Sequence, residues 1–341
     1  MSAPAAPMFT PAARQIAERL GLKPGRANLE VFADTLLELA RADRQVLAVT
    51  SDSRGSGKLA PFGQALPQQI VEVGIAEQNL VGIAAGLAAA GKNVFAVSPA
   101  CFLTARSLEQ IKNDVAYSDN AVTLVGISAG VSYGALGSTH HSLHDLAALR
   151  AINNLDIVVP ADNAETRWAV RFAAAAQHPV YLRFGKAPQY DLHRDELSAR
   201  RGESIVLRRG SDIALVATGE AVTHAVLAAE ELAVRDGVSS TVISVPFIRP
   251  LDTTAIVAAA GCGALITIEE HMVHGGLGEA CAAVLLEAAV RVRFRRIGIP
   301  DEYTVTGSQA DIFRHYGISM EGISATARAL LGGATSRSSV A

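Results

Sequence analysis

Two residues of this 341-residue chain stand where they could transfer protons: an acidic residue at the start of a predicted helix and a histidine in a polar loop. The acidic residue is Glu77, in the segment VEVGIAEQNLVGIAAGLAAAG at 71–91, whose pattern predicts a strand, a glycine turn and a helix. The helix dipole alone would also favour an acidic residue there. Small residues on this helix would let another backbone approach closely; they are Gly82, Ala85, Gly86 and Ala89.

The histidine is His140, in a Gly/Ser/His-rich loop at 128–142. No apolar periodicity surrounds it, and an imidazole titrates near neutral pH, which suits proton transfer to and from hydroxyl groups. His141 and His144 follow closely, and three such residues could also indicate a metal site. Because the neighbourhood holds no cysteine and no carboxylate cluster beyond Asp145, we expect no metal site in this chain.

The elements that must position these residues alternate between short apolar segments and longer amphipathic ones. We predict strands at 45–50, 69–73, 93–98, 122–127, 157–159 and 180–184, and helices at 29–40, 76–90, 102–116, 144–151 and 163–176. Such alternation is typical of a parallel sheet that is covered by helices on both faces. The predicted fold class is therefore α/β.

A polar, charged break at 185–202 separates this half from a second one. The alternation then resumes, with strands at 212–217, 240–245, 264–269 and 293–298, and helices at 220–235, 252–260 and 277–289. We therefore predict two consecutive, independent parallel-sheet α/β domains. The predicted organisation is an N-terminal extension at 1–28, a first domain at 29–187, a linker at 188–204, a second domain at 205–331 and a disordered tail at 332–341.

Composition excludes several classes of protein. Half of the residues are hydrophobic and the net charge is −3, so the chain can bury a large core and lacks a basic surface for nucleic acid. Its start lacks the pattern of a secretory signal, and its most apolar run, at 81–90, is too short to cross a membrane. The three cysteines show neither metal-ligand nor disulfide spacing. We expect a cytoplasmic protein with reduced thiols and no membrane or nucleic-acid partner.

Four segments resemble, in order, the pyrimidine-binding half of transketolases and of the related 1-deoxyxylulose-5-phosphate synthases. They are GIAEQ at 74–78, SPACFLTARSLEQIKND at 98–114, GALGSTHHSLHDLAALRAI at 134–152 and VYLRFGK at 180–186. A fifth, TIEEHMVHGGLGEA at 267–280, resembles the C-terminal domain of the same superfamily. The resemblance implies thiamine diphosphate as the cofactor. It also implies transfer of a two-carbon ketol unit between a ketose and an aldehyde, either sugar phosphates or modified sugars.

The resemblance assigns cofactor contacts to three residues. The family glutamate that corresponds to Glu77 hydrogen-bonds a nitrogen of the pyrimidine ring, and a carboxyl group in an apolar, cofactor-covered site can share a proton with that ring. Phe102 corresponds to an aromatic residue that stacks on the pyrimidine, although a phenylalanine at a helix start is also a common core residue. Asp52 corresponds to an aspartate near the cofactor at the subunit boundary.

The resemblance also implies substrate contacts. His140 corresponds to a histidine above the reacting carbons, and Ser56 to a phosphate-binding serine. Arg183 corresponds to an arginine that holds the sugar phosphate, a task that suits a guanidinium fork. The phosphate would rest mainly on Arg183, with help from Lys186 and the loop after Thr50.

Three positions depart from the family pattern. Leu136 stands where an aspartate commonly contacts a substrate hydroxyl, Ser128 stands where a histidine is expected, and Leu29 stands in place of an arginine. An apolar side chain at Leu136 removes a hydrogen-bond partner from that hydroxyl. We therefore expect a modified or branched sugar as the substrate rather than an ordinary pentose phosphate.

One motif of this enzyme class is absent. Thiamine enzymes hold the diphosphate through a metal ion bound by a Gly-Asp-Gly motif and a later asparagine, and no GDG occurs in this chain. We therefore expect a partner, an N-terminal transketolase subunit that carries the diphosphate and Mg²⁺ site. The chain itself resembles the C-terminal subunit of a split transketolase, for which a symmetric α2β2 heterotetramer is expected.

Three alternatives stay open on the sequence. A deoxyxylulose-phosphate-synthase-like acyloin former would carry an aspartate at Leu136 and an arginine at Ala129. A 2-oxoacid dehydrogenase beta subunit has the glutamate on a similar fold, but the segment at 139–152 fits transketolases better. A non-catalytic scaffold subunit would not need Glu77, Phe102, His140 and Arg183 together.

Overall fold

The computed structural model describes residues 8–194 and 196–332, which form two α/β domains in succession, each built on a mainly parallel sheet, as predicted. Residues 1–7 of the predicted extension and all but the first residue of the predicted tail lie outside the described residues. None of the helices in these two described ranges is long and apolar enough to cross a membrane.

An N-terminal segment precedes the first domain and contains α1 (Pro11–Arg19) and β1 (Lys23–Ala27). The first domain then runs through α2 (Asn28–Ala42), β2 (Val46–Thr50), α3 (Ala60–Ala65), β3 (Ile70–Glu72), α4 (Glu77–Ala89), β4 (Asn93–Pro99), α5 (Ala100–Arg106), α6 (Leu108–Gln110), β5 (Val122–Ile127), α7 (Asp145–Arg150), β6 (Asp156–Val158), α8 (Asn163–Ala175) and β7 (Val180–Arg183). A π-helical turn at Ile111–Tyr117 and a 3₁₀ turn at Gly134–Leu136 lie between these elements.

A short strand, β8 (Pro188–Asp191), connects the first domain to the second. The second domain contains β9 (Ile205–Arg208), β10 (Ile213–Ala217), α9 (Ala221–Asp236), β11 (Ser240–Ser244), β12 (Phe247–Arg249), α10 (Thr253–Ala259), β13 (Ala264–Met272), α11 (Leu277–Glu287), β14 (Arg293–Ile299), α12 (Gln309–His315) and α13 (Met320–Gly332). Its five-stranded sheet has the order β14-β13-β10-β11-β9, and only β9 runs antiparallel to its neighbour.

A seven-stranded sheet forms the centre of the first domain, in the order β12-β6-β7-β5-β4-β2-β3. Its neighbouring strands run parallel except β12, which pairs antiparallel with β6. The central strands β4, β5 and β7 consist almost entirely of buried residues, as expected for strands that helices cover on both faces. Their carboxyl ends meet at one edge of the sheet, which is where open α/β sheets bind ligands.

The two domains are not independent units, which corrects the sequence prediction. β12 follows β11 of the second domain in sequence, yet it extends the sheet of the first domain. The N-terminal segment and the predicted linker are also joined, because β1 and β8 pair antiparallel. In addition, α1 packs on α9, and the ring of Phe9 lies 4.8 Å from that of Tyr190 and 5.0 Å from that of His224.

Several helical regions differ from the prediction, and neither α1 nor α3 was predicted. The predicted helix at 102–116 is interrupted at Ser107, whose hydroxyl donates to the carbonyl of Leu103 and so competes with regular helix bonding. The predicted elements also omit α12 and α13, although α13 packs on α9 and closes the second domain. Ser308 and Asp311 form a capping box at the start of α12, so a signal for that helix was present in the sequence.

Candidate active site

The candidate site lies at the carboxyl edge of the first sheet. β3 leads to Glu77 at the start of α4, and β4 leads to Phe102 in α5. β5 leads to the loop that carries His140, and β7 leads to Lys186. Parallel strands end at the same edge, so residues that are far apart in sequence converge there.

Glu77 is paired with a residue that no sequence motif singled out. Its side chain is 4% exposed, and Nη1 of Arg106 donates to both of its carboxylate oxygens at 2.9 Å. The Arg106 side chain is 47% exposed. The carboxylate of the pair is therefore buried, whereas its cation is accessible to solvent. One signal was present: Arg106 lies four residues after Phe102 on α5, a spacing that places two side chains on one helix face.

A series of contacts between charged and aromatic side chains connects Glu77 to the loop that carries His140. The guanidinium carbon of Arg106 lies 4.3 Å from the centroid of the Phe102 ring, a cation–π contact. The Phe102 and His140 rings meet edge to face, with their centroids 5.4 Å apart. We call Glu77, Arg106, Phe102 and His140 the site line. It brings together three of the residues predicted from sequence.

His140 is partly exposed, and its Nδ1 lies 3.0 Å from Oγ1 of Thr139. None of the hydrogen bonds in the described part of the chain engages Nε2, which leaves that nitrogen for a ligand. On the side away from Phe102, the ring of Tyr133 lies 5.6 Å from that of His140. Tyr133 was missed at the sequence level because a lone tyrosine in a Gly/Ser loop belongs to no pattern.

The two histidines that follow His140 have different surroundings. In His141, Nδ1 lies 2.6 Å from Oγ1 of Thr304, and Nε2 lies 3.0 Å from the carbonyl oxygen of Gly134. Burial lowers the pKa of His141, which favours the neutral imidazole. Through Thr304, this imidazole connects the loop to the second domain. His144 is exposed at the start of α7. Residues 8–194 and 196–332 contain no group of three metal-ligating side chains.

Arg183, which the sequence analysis predicts to hold the sugar phosphate, is enclosed in the fold. Its side chain is 6% exposed, and Nε donates to Oδ2 of Asp145 at 2.8 Å. Nη2 donates to the carbonyl oxygens of Ser142 at 3.1 Å and of Glu270 at 2.9 Å. Burial raises the pKa of Asp145, but the charges of Arg183 and His271 and the hydrogen bonds from Arg183 and Tyr181 together outweigh it, so the pKa is lowered. These contacts make Arg183 part of the packing between the two domains, and its phosphate role stays a prediction.

Lys186, three residues further on, is the cation that faces the open side. Its Nζ lies 4.7 Å from the centroid of the Tyr133 ring, and the residue is exposed. Its pKa is lowered, first by partial burial and then by the positive charge of Lys58. A cavity of about 880 Å³ adjoins this cation. Residues from four segments contribute to its wall, among them Phe9, Arg14, Tyr133, Lys186 and Gln309.

The three departures from the family pattern have different environments. Leu136 is 54% exposed on the 3₁₀ turn that precedes His140, so its apolar side chain is accessible. Ser128 is 1% exposed with a left-handed φ of 52°, and its hydroxyl has no hydrogen-bond partner within the described ranges. The expectation that Ser128 borders the substrate stays a prediction. Leu29 is a buried core residue of α2.

Asp52 and Ser56 lie in the loop after β2. The backbone N–H of Asp52 donates to Oε1 of Glu72 at 2.6 Å, and the residue is exposed. The hydroxyl of Ser56 donates to the carbonyl oxygen of Ser53 at 3.2 Å. No hydrogen bond or ion pair among the described residues joins either side chain to the site line, so their cofactor and phosphate roles stay predictions.

Two family models match the chain in succession. The first is "Transketolase, pyrimidine binding domain", over residues 25–188, and the second is "Transketolase, C-terminal domain", over residues 202–323. The first match contains the whole site line. The fold and the site thus define the pyrimidine-binding half of a thiamine-dependent enzyme, followed by the domain that accompanies it in transketolases.

Individual relatives show which members of this class the chain is similar to. A subunit of the apulose-4-phosphate transketolase of Phocaeicola vulgatus is 49% identical over 298 residues, which cover 87% of this chain and 95% of that protein. A 6-deoxy-6-sulfo-D-fructose transketolase subunit of a Clostridium species is 35% identical over 297 residues, covering 86% and 91%. A solved structure described as "Split gene transketolase, inactive beta4 tetramer" superposes with a TM-score of 0.80 at 32% identity, covering 90% of this chain and 99% of that one.

The chain belongs to the transketolase family and corresponds to the C-terminal subunit of the split, two-gene form. It is a transferase subunit of the transketolase type, and the family implies thiamine diphosphate as its cofactor. A partner subunit and an oligomeric assembly follow from the split form.

Proposed function

We propose that this chain is the pyrimidine-binding subunit of a two-chain transketolase that acts on sugars carrying an anionic group. The site line, in which a buried carboxylate, a planar cation, an aromatic face and a histidine follow one another, is the observation that carries the proposal. When bound, thiamine diphosphate supplies a nucleophilic carbon and an electron sink for carbon–carbon cleavage. The residues of this chain hold the ring, move protons and contact the sugar.

The residues present fit an aminopyrimidine ring. Glu77 and Phe102 already hold a planar, positively charged group between them, the guanidinium of Arg106. Phe102 would offer its ring face to the pyrimidine in place of that guanidinium. Glu77 would offer its carboxyl group to a ring nitrogen and exchange a proton with it. Because Arg106 is half exposed, it can turn away without disturbing the core.

His140 moves protons to and from the sugar. Its ring lies against Phe102 on one side and Tyr133 on the other, and Thr139 occupies Nδ1, so the free Nε2 is held in a defined direction. An imidazole that titrates near neutral pH can both accept and return the proton of a hydroxyl group. Asp52 and Ser56 remain proposed cofactor and phosphate contacts at the neighbouring loop.

Lys186 takes the role that the sequence assigned mainly to Arg183 and binds the anionic end of the sugar. Its ammonium lies over Tyr133 beside the cavity, and the positive charge of Lys58 acts on it. An anion between two ammonium groups would relieve their mutual repulsion. The named substrates of the two relatives, a phosphate ester and a sulfonate, both carry such an end.

A branched or modified sugar suits this site better than an ordinary pentose phosphate. Leu136 presents an exposed apolar side chain beside His140, and a hydroxyl buried against it lacks a partner, which costs about 1–3 kcal/mol. A sugar that is branched there, or lacks that hydroxyl, avoids this loss. The relative that is 49% identical is named for apulose 4-phosphate, so we infer a substrate of that kind.

A second chain supplies the diphosphate and Mg²⁺ site in an α2β2 assembly. A side chain at Gly82 or Gly86 on α4 would meet no atom of the described residues within 4 Å, so this face of the helix can accept another backbone. The related structure of beta chains without their partner is described as inactive, which agrees with a need for the second chain.

The assembly is tested by calorimetric titration of thiamine diphosphate with Mg²⁺ into this chain alone and into its mixture with the candidate N-terminal subunit. We expect tight, magnesium-dependent binding and ketol transfer only for the mixture. Gly86→Leu should prevent assembly, whereas the matched control Gly261→Leu, at another glycine with open space, should not. Tight binding by this chain alone would contradict the two-chain proposal, and cofactor binding by the mixture without any ketol transfer would favour a scaffold.

The substrate is tested by comparing kcat/KM of the assembled enzyme for apulose 4-phosphate and xylulose 5-phosphate. We expect the first to exceed the second by roughly 5- to 150-fold, the equivalent of one unpaired hydroxyl. Leu136→Asp should shift the preference toward xylulose 5-phosphate. Equal values for the wild type, together with no gain in Leu136→Asp, would refute this description of the pocket.

A further inference from the structure

The second domain contributes two buried carboxyl groups to its boundary with the first domain. Glu220 precedes α9 and Glu270 lies in β13, and both side chains are buried. The side-chain amide of Gln309, at the start of α12, donates to both of them, to Oε2 of Glu220 at 3.2 Å and to Oε1 of Glu270 at 2.9 Å. One amide therefore joins two carboxyl groups in a cluster that we call the Glu220–Gln309–Glu270 cluster.

The two carboxyl groups of the cluster contact two glycines of the first domain at close distance. A Cβ atom at Gly130 would lie 2.2 Å from the carboxyl carbon of Glu270, and one at Gly185 would lie 2.1 Å from Oε1 of Glu220. Oε1 of Glu270 also accepts a hydrogen bond of 2.8 Å from the backbone N–H of Val131. Only a residue without a side chain can approach the carboxyl groups so closely.

These two glycines belong to the segments that carry the site. Gly130 begins the loop that continues to Tyr133 and His140, and Gly185 immediately precedes Lys186. The same carboxyl cluster thus contacts the loop of the proton-transfer histidine and the loop of the substrate cation. Neither contact touches Glu77 or Phe102, which hold the cofactor ring in the proposed function.

We propose that Glu220 and Glu270 are positioning residues, through which the second domain sets the two loops that carry His140 and Lys186. This inference rests on the proposed function for the roles of those two residues. It gives the C-terminal domain a part in the reaction, although none of its residues belongs to the site line.

The charges around the cluster make this positioning depend on pH. Burial raises the pKa of both carboxyl groups, and the charge of Glu270 raises that of Glu220 further. Arg183 acts in the opposite direction on both, but it is already paired with Asp145, whose own charge raises the pKa of Glu270. Gln309 and the N–H of Val131 are the remaining donors. Two full negative charges are therefore disfavoured in the cluster.

The direction of the pH effect follows from these raised pKa values. Each carboxyl group keeps its proton in the folded chain at pH values where the unfolded chain has lost it. Stability therefore falls as the pH rises from the usual range of a glutamate through the raised values. As the second negative charge develops, the cluster should hold Gly130 and Gly185 less firmly.

The test uses the assembled complex, two variants of the cluster and one control. Glu220→Gln removes a charge and keeps the shape, whereas Glu270→Ala removes the acceptor of the Val131 N–H. The matched control is Glu231→Gln, at a buried glutamate of α9 whose described partners, Ser324, Arg235 and Arg328, all lie in the second domain. The readouts are backbone hydrogen–deuterium exchange by mass spectrometry, Tm and kcat/KM, each at about pH 6 and about pH 9.

In Glu270→Ala, we expect peptides that cover 128–142 to exchange roughly fivefold faster or more, and the control to leave them unchanged. In Glu220→Gln, Tm and kcat/KM should fall less between the two pH values than in the wild type. Unchanged loop exchange in Glu270→Ala, or a wild-type pH dependence in Glu220→Gln, would overturn the proposal. Exchange and Tm need no turnover, so a failure of the proposed ketol transfer would remain distinguishable from a failure of this inference.

Discussion

Two arginine–carboxylate pairs in this chain have nearly equal donor–acceptor distances, but their arginine side chains differ in exposure to solvent. Arg106 donates to Glu77 at 2.9 Å, and Arg183 donates to Asp145 at 2.8 Å. The Arg106 side chain is 47% exposed, whereas that of Arg183 is 6% exposed. We call the first the open pair and the second the closed pair. Their distances do not distinguish them, but the exposure of the cation does.

The difference shows which pair can be exchanged for a ligand. In the open pair, the cation can leave the carboxylate to a bound ring. In the closed pair, both members have further partners inside the fold, because Tyr181 also donates to Asp145 and two carbonyl groups accept from Arg183. Arg183, whose position binds substrate in the family, is here enclosed by packing and stabilises the fold.

The largest expected effect comes from the carboxylate of the open pair. Glu77→Gln keeps the shape but cannot exchange a proton, so hydrogen–deuterium exchange at the thiazolium carbon of the bound cofactor should slow by about 10²–10⁴. NMR of the cofactor in the assembled complex measures this rate. Glu109→Gln, at an exposed carboxylate of α6, is the matched control. Exchange at the wild-type rate in Glu77→Gln would contradict the proposed role of Glu77 in proton transfer.

The closed pair should matter most for stability. Arg183→Met leaves Asp145 as a buried charge without its cation, which should lower the free energy of unfolding by roughly 3–5 kcal/mol. Arg106→Met should lower it by only about 1 kcal/mol, since a half-exposed cation gains little from an ion pair. Urea unfolding of the two variants measures both values, and equal losses would break the comparison between the pairs.

A third test concerns Lys186, the cation that we propose at the anionic end of the substrate. Lys186→Gln should raise KM for a phosphorylated sugar by roughly 5- to 150-fold, the equivalent of one charge-assisted hydrogen bond, with little change in kcat. Steady-state kinetics of the assembled enzyme checks this. Lys92→Gln, at a partly exposed lysine whose described hydrogen bond goes to Gln45, is the control. An unchanged KM in Lys186→Gln would place the anionic end of the substrate elsewhere.

The smallest expected effect tests whether the open pair is exchangeable. If the cofactor ring must displace the guanidinium, Arg106→Met should bind thiamine diphosphate up to about fivefold more tightly, because no surface ion pair has to be broken. Arg106→Lys should lie closer to the wild type. Calorimetry on the assembled complexes measures the Kd values. Affinity weakened by about tenfold or more in Arg106→Met would mean that Arg106 binds the cofactor itself.

Local patterns predicted the regular elements of both domains well. The predicted strand at 122–127 is β5, Val122–Ile127, and the predicted helix at 76–90 is α4, Glu77–Ala89. Each is specified by its own apolar pattern and by the residues at its ends. The strands β1, β8, β9 and β12 were missed for the opposite reason. Their pairing partners are far away in sequence, and no short segment carries that information.

The sequence by itself determined the α/β class, the order of the two domains and three residues of the site line, because periodicity and short motifs are local properties of the chain. Only the tertiary structure decided which arginine is available to a ligand. Arg183 is enclosed because the second domain brings the Glu270 carbonyl against the first-domain loop. The environment of a charge depends on everything packed around it, and neighbours in sequence supply only part of that packing.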